Sequence, residues 1–102
     1  MRTQNFYTKN QFLIEDDNNN LTFQSYDSEI ANIKDGVLTL HTNWDYSLTT
    51  QKYLYMFLSE YAYKIRDLEV RSVIISMMKY CTNKRKHLQT LIDKKFINYV
   101  ED

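Results

Sequence analysis

The side chains able to do covalent or metal chemistry in this chain are few: one cysteine, Cys81, and two histidines, His41 and His87. A cysteine nucleophile needs a base beside it. Cys81 falls on the inward stripe of a helical pattern, where a thiol is usually a small buried hydrophobe. A metal site needs several spaced ligands, and two separate histidines do not supply it. The acidic run Glu15-Asp16-Asp17 lacks the alternating ligands and the closing bidentate Glu of a calcium loop, so it reads as a solvated loop. With Gly36 the only glycine, no glycine-rich phosphate cradle can be built. The expectation is a protein that is not an enzyme and has no metal or cofactor.

Residues suited to recognition are more plentiful. Trp44 and Tyr46 flank Asp45, and Tyr26 ends a strand pattern; such aromatics are interface anchors or the plug over one end of a small core, and both readings stand. Met56 and Tyr63 fall seven residues apart, opposite the apolar stripe of a long helix. They make an exposed apolar spot unless a second helix packs on them. The segment Asn83-Lys84-Arg85-Lys86-His87 opens a helix after another helix and a short turn, a faint helix-turn-helix outline. On that reading Arg71, Lys79, Lys84, Arg85 and Lys86 contact nucleic-acid phosphates. The bland alternative is an ordinary solvated face. Asp93 on the presumed groove side favours the latter, since a carboxylate repels DNA.

The elements that must position these groups follow from periodicity. Thr8, with Gln11 three residues on, matches a capping box and predicts a short helix carrying Phe12 and Leu13. Leu21, Phe23 and Ser25 alternate with Thr22, Gln24 and Tyr26, the period of a strand. Asp27-Ser28 predicts a turn into a second strand, residues 29–33, with Ile30 and Asn32 on one face and Ala31 and Ile33 on the other. Asp35-Gly36 is a strong signal for a type I′ hairpin, leading to Val37-Leu38-Thr39-Leu40. Asp45 and Ser47 are both good N-caps. Beyond them Leu54, Phe57, Leu58, Tyr61, Ala62 and Ile65 form one stripe of a helix. Asp67 can start another, with Val70, Val73, Ile74, Met77, Met78 and Cys81 inward; its β-branched Val73-Ile74-Ile75 would suit a strand, but the helical spacing extends too far. Thr82 or Asn83 caps a third helix with Leu88, Leu91 and Ile92 inside, and residues 96–100 return to alternation as an edge strand. The fold class expected is α+β: an antiparallel sheet of three strands, possibly four, packed against two or three helices in a single domain of residues 1–102.

At 102 residues the chain supports one core. Thirteen basic and thirteen acidic residues cancel, which helps neither a globally basic nucleic-acid binder nor a strongly acidic DNA mimic. The charge is uneven, however. Residues 1–63 hold four Lys and Arg against eight Asp and Glu, and residues 64–102 hold nine against five. A single cysteine excludes an internal disulfide framework and suits a reducing cytosol. No charged-then-apolar leader and no apolar run of spanning length is present, so a soluble, unprocessed protein with no membrane partner is expected.

Phe23-Gln24-Ser25-Tyr26-Asp27-Ser28-Glu29-Ile30-Ala31 together with Trp44-Asp45-Tyr46-Ser47-Leu48-Thr49-Thr50 resembles a family of small, mostly uncharacterised proteins. These are encoded by phages, plasmids and integrated elements of low-GC Gram-positive bacteria and share F-Q-S-Y-x-S-x-I-A followed by W-D-Y-S-x-T-T. The likeness covers about residues 20–58, with a looser echo at 91–100, while the helix around 67–81 departs from the shorter members. The resemblance implies an accessory protein of a mobile element in the bacterial cytoplasm. Such proteins often block host defences, anti-CRISPR proteins among them, or regulate the element's own genes. The expected partner is therefore a host defence protein, for example a Cas9-type effector or its guide RNA complex, bound through Tyr26, Trp44, Asp45, Tyr46, Met56 and Tyr63. DNA is the alternative partner through the basic set, and self-association through the Met56–Tyr63 face is a third.

Overall fold

A computed structural model describes residues 1–101. Asp35 and Gly36 both have positive φ, 52° and 78°, as a type I′ turn requires. They join strand β4, Ser28–Lys34, to β5, Val37–His41. Upstream lie β1, Arg2–Phe6, β2, Thr8–Glu15, and β3, Leu21–Ser25. Downstream come helix α1, Leu48–Tyr61, a 3₁₀ turn at Ala62–Lys64, α2, Leu68–Tyr80, α3, Lys84–Asp93, and strand β6, Asn98–Val100. The fold is α+β, with one six-stranded mixed sheet in the order β1-β2-β3-β4-β5-β6. Two strands more than the largest expected sheet are present, because the N-terminal segment is also sheet. The edge strand expected at residues 96–100 is there as β6, and it runs parallel to β5. Parallel pairing needs a long crossover, which the three helices provide.

The short helix expected from Thr8 is a strand instead. Gln11 and Leu13 are buried and pair with Ser25 and Phe23 of β3, while Phe12 and Ile14 face the other way. A capping-box spacing is a local signal, and pairing on both edges of β2 outweighs it. The β1–β2 hairpin closes through a register shift at Asn5/Phe6, with Tyr7 and Asn10 in the left-handed region. The tip of that hairpin is tied to α1, since the Tyr7 hydroxyl donates to the Glu60 carboxylate. Between β2 and β3, Asp16 organises the acidic loop. Its carboxylate accepts from the N–H of Asn18 at 2.8 Å and of Asn20 at 3.0 Å, and from the Asn20 amide at 3.0 Å.

A bulge reshapes β4. Phe23 pairs with Ala31 but Gln24 pairs with Glu29, so Ile30 is an extra residue on β4. One inserted residue resets the alternation. Ile30 therefore joins Ala31 and Ile33 in the core, all of them buried, which corrects the expectation that Ile30 shares a face with Asn32. The tight turn also sits one residue earlier than expected, with Tyr26 and Asp27 central and Ser25 paired to Ser28.

On the covered face, Leu21, Phe23, Ile30, Ile33, Leu38 and Leu40 meet Leu54, Phe57 and Leu58 of α1. The Phe23 and Phe57 rings stack at 5.9 Å and 24°. Ser47, Asp67 and Asn83 cap the three helices. Ala62 and Ile65, read as the end of the first stripe, are buried past the end of α1. Of the second stripe, Ile74 is fully inside and Met77 is buried, and Leu88 anchors α3.

Gly36 also docks the β4–β5 turn onto the segment before α2, its carbonyl accepting from the Arg66 N–H at 2.7 Å. A Cβ there would lie 2.5 Å from the Arg66 Cβ. With positive φ and no room, Gly36→Ala should cost roughly 1–3 kcal/mol, measured by urea unfolding. An unchanged midpoint would refute this role. A second expectation concerns acid. The Asn20 N–H chiefly, then the Asn18 N–H, the Asn20 amide and the charge of Lys34, hold the Asp16 carboxyl below its ordinary value of 3.8, against a smaller opposing effect of burial. A depressed folded-state value contributes stability that is present above the unfolded value and lost as pH falls through the folded one. Asp16→Asn should thus flatten the loss of stability below about pH 4. Equal acid slopes for the two proteins would exclude it.

Candidate functional site

Two short turns bring two exposed aromatics of the N-terminal half, Tyr26 and Tyr46, to one cleft. In the β3–β4 hairpin, Tyr26 occupies the left-handed region at φ 54°, where a bulky residue is uncommon. It stands at the tip with 59% of its surface exposed. Past β5, the Trp44 N–H donates to the His41 carbonyl and the Tyr46 N–H to that of Asn43, folding residues 41–46 into consecutive turns. Trp44 is 2% exposed and Tyr46 is 80% exposed. The corner therefore divides its aromatics: Trp44 plugs the core and is unavailable as an anchor, while Tyr46 stands in solvent.

Tyr26 and Tyr46 line one cleft of about 520 Å³, together with Asp27, Ser28, Asn43 and Thr49 among others. Its floor is a chain of hydroxyls. Thr50, buried in the first turn of α1, donates its N–H to Ser47 Oγ at 3.1 Å; its own hydroxyl lies 3.1 Å from Ser47 Oγ and 3.4 Å from Ser25 Oγ. The strand and the helix start are thus bonded to each other beneath the cleft. Asp45 does not cap α1. It accepts from Arg85 Nε and Nη2 at 3.0 and 2.9 Å, pinning the corner to α3, and its carbonyl accepts from the Gln51 amide.

The other expected contact residues are dispersed. Met56 is half-buried and packs on the core. Tyr63 is exposed in the 3₁₀ turn beyond the end of α1, 6.3 Å from the Tyr61 ring. Since α1 stops at Tyr61, Met56 and Tyr63 do not share a helix face. In the basic set, Arg71 Nε donates to the Ile65 carbonyl, Lys84 Nζ to the Cys81 carbonyl, and Arg85 is paired with Asp45. Lys79 and Lys86 are exposed.

Two further clusters escaped sequence reasoning. On the uncovered face of the sheet, Glu29 Oε2 lies 2.8 Å from His41 Nε2 and accepts from the Asn32 amide at 2.6 Å. The bulge at Ile30 sets that neighbourhood, and no sequence signal announces it. Between α2 and α3, Cys81 Sγ lies 3.1 Å from His87 Nδ1. Their six-residue separation, spanning a helix end and a cap, was the available clue.

Residues 1–72 match a family of unknown function, DUF8033. The chain belongs to that family. No curated protein and no solved structure matches it. The region shared with DUF8033 contains the first five strands, α1 and every residue of the Tyr26–Tyr46 cleft; Cys81 and His87 lie beyond it. No helix among the described residues is long and apolar enough to cross a membrane.

The hydroxyl chain gives a direct test. Thr50→Val keeps the shape but removes both side-chain bonds and leaves Ser25 Oγ without that partner. The expected cost is about 1–2 kcal/mol by chemical denaturation. A neutral effect would mean that the helix start is held by its apolar residues alone.

Proposed function

We propose that this DUF8033 member is a stoichiometric binding protein that docks a basic surface of a host defence protein at the Tyr26–Tyr46 cleft, inhibiting it. The observation that carries the reading is the convergence of Tyr26, Asp27 and Tyr46 on one rim. The two phenol rings offer large contact area at low entropic cost. Asp27 is exposed and forms no ion pair among the described residues. A carboxylate and aromatic rings on one cleft suit an arginine or lysine side chain, by charge-assisted hydrogen bond and by cation–π contact. Surfaces that grip nucleic acid are rich in such side chains. A protein that occupies one competes with the nucleic acid and needs no turnover.

Support for a defence nuclease as target comes from the resemblance to proteins of mobile elements. The two stretches that carry it, 23–31 and 44–50, supply most of the cleft lining. The DNA-binding alternative is the weaker reading, because Arg71, Lys84 and Arg85 are engaged within the chain.

A purified Cas9-type nuclease, titrated with the protein, should lose cleavage at equimolar dose and co-elute with it on gel filtration. Tyr46→Ala, at an exposed position, should weaken binding about tenfold or more without changing the unfolding midpoint. Normal cleavage in excess protein, with no complex, rules out this target class. Inhibition indifferent to Tyr46 and Asp27 moves the contact away from the cleft.

A further inference from the structure

Beyond that binding role, and independent of it, we propose that Cys81 is a nucleophilic thiol, a site of S-thiolation by low-molecular-weight disulfides, with His87 as its positioning residue. Cys81 is the C-cap of α2 and is half-buried. It opens onto a groove of about 640 Å³ whose apolar wall includes Val73, Met77 and Tyr80, with Ser76 and Thr82 alongside. His87 Nδ1 lies 3.1 Å from Cys81 Sγ and 2.8 Å from the Asn83 carbonyl oxygen. A carbonyl oxygen can only accept, so Nδ1 carries a hydrogen and the sulfur is a second acceptor for it.

That assignment selects the chemistry. Acyl transfer would require His87 to take the thiol proton, and Nδ1 is already protonated. Disulfide exchange requires only the thiolate, the form that attacks, and a donor beside it. In the step, the Cys81 thiolate attacks one sulfur of a disulfide RS–SR. The Cys81 S–S bond forms as the RS–SR bond breaks, and the electron pair leaves on RS⁻, which takes a proton from solvent. The Cys81 sulfur is oxidised and the departing sulfur is reduced, so no other oxidant is needed. The groove receives the R group.

The test uses the full chain and an aromatic disulfide, bis(carboxynitrophenyl) disulfide, following release of the coloured thiolate at neutral pH. The folded protein should release one equivalent per chain, about tenfold faster than the same chain unfolded in urea, and Cys81→Ser should release none. His87→Ala should fall to within about twofold of the unfolded rate. His87→Asn should keep most of the rate, because its amide can stand where Nδ1–H stands. Circular dichroism checks that each variant is folded. A folded chain reacting no faster than the unfolded one overturns the proposal even if His87→Ala fails to fold. A folded His87→Ala with full rate, or His87→Asn as slow as a folded His87→Ala, overturns the role given to His87.

Discussion

The seating of α1 on the sheet through the Phe23–Phe57 stack is the contact on which the remaining geometry depends. Phe6 packs on both rings, tilted against Phe23 at 5.8 Å and edge-on to Phe57 at 6.4 Å. This aromatic cluster links the first hairpin, the third strand and the helix in one buried block. Aromatic rings bury large areas and prefer offset or edge contacts, so they fix orientation as well as distance. Once α1 is placed, its N-terminus lies by the β3–β4 turn, and Thr50, itself bonded to Ser47, reaches Ser25. The cleft is the gap left where helix start, hairpin tip and aromatic corner meet but cannot fill space.

The same block shows what a sequence can and cannot announce. The Asp35-Gly36 turn, the caps at Asp67 and Asn83 and the inner stripe of α1 are local patterns, and each stands in the structure because the tertiary contacts agree with it. The segment Thr8–Gln11 carries a local signal that the tertiary contacts oppose, and there the signal fails. Alternation at residues 96–100 announces the edge strand β6, but not its parallel pairing with β5, a partner some sixty positions away. The bulge at Ile30 is a count of one residue. Periodicity cannot reveal it, since a strand with or without it spells the same amino acids.

The candidate site was legible in its members but not in its arrangement. Tyr26 and Tyr46 stand out by type, and Trp44 with them, yet type does not say which ring is buried. The turns at residues 41–46 decide that by pointing Trp44 inward. Asp45 likewise reads as a cap, and only the position of α3 shows that Arg85 claims it. The hydroxyls of Ser25, Ser47 and Thr50 carry no distinctive spacing, because 25 residues separate the first from the last. Their adjacency is a product of α1 crossing β3.

Charge follows the same logic. By sequence the chain is a dipole, acidic before residue 64 and basic after it. Folding ties the two halves together by pairing Asp45 with Arg85, and within the acidic half it pairs Glu15 with Arg2 and Asp17 with the N-terminal ammonium. The exposed pairs are worth little energetically. Their consequence is to remove those groups from the set available to a partner. Asp27 is left outside such pairs, at a turn held in shape by a tyrosine with positive φ. The two-residue turn between Ser25 and Ser28 puts Tyr26 in that backbone region. Tyr26 is largely exposed and so adds little to the core. The recognition proposed for this end of the sheet rests on that exposed ring and on Asp27, which forms no ion pair among the described residues.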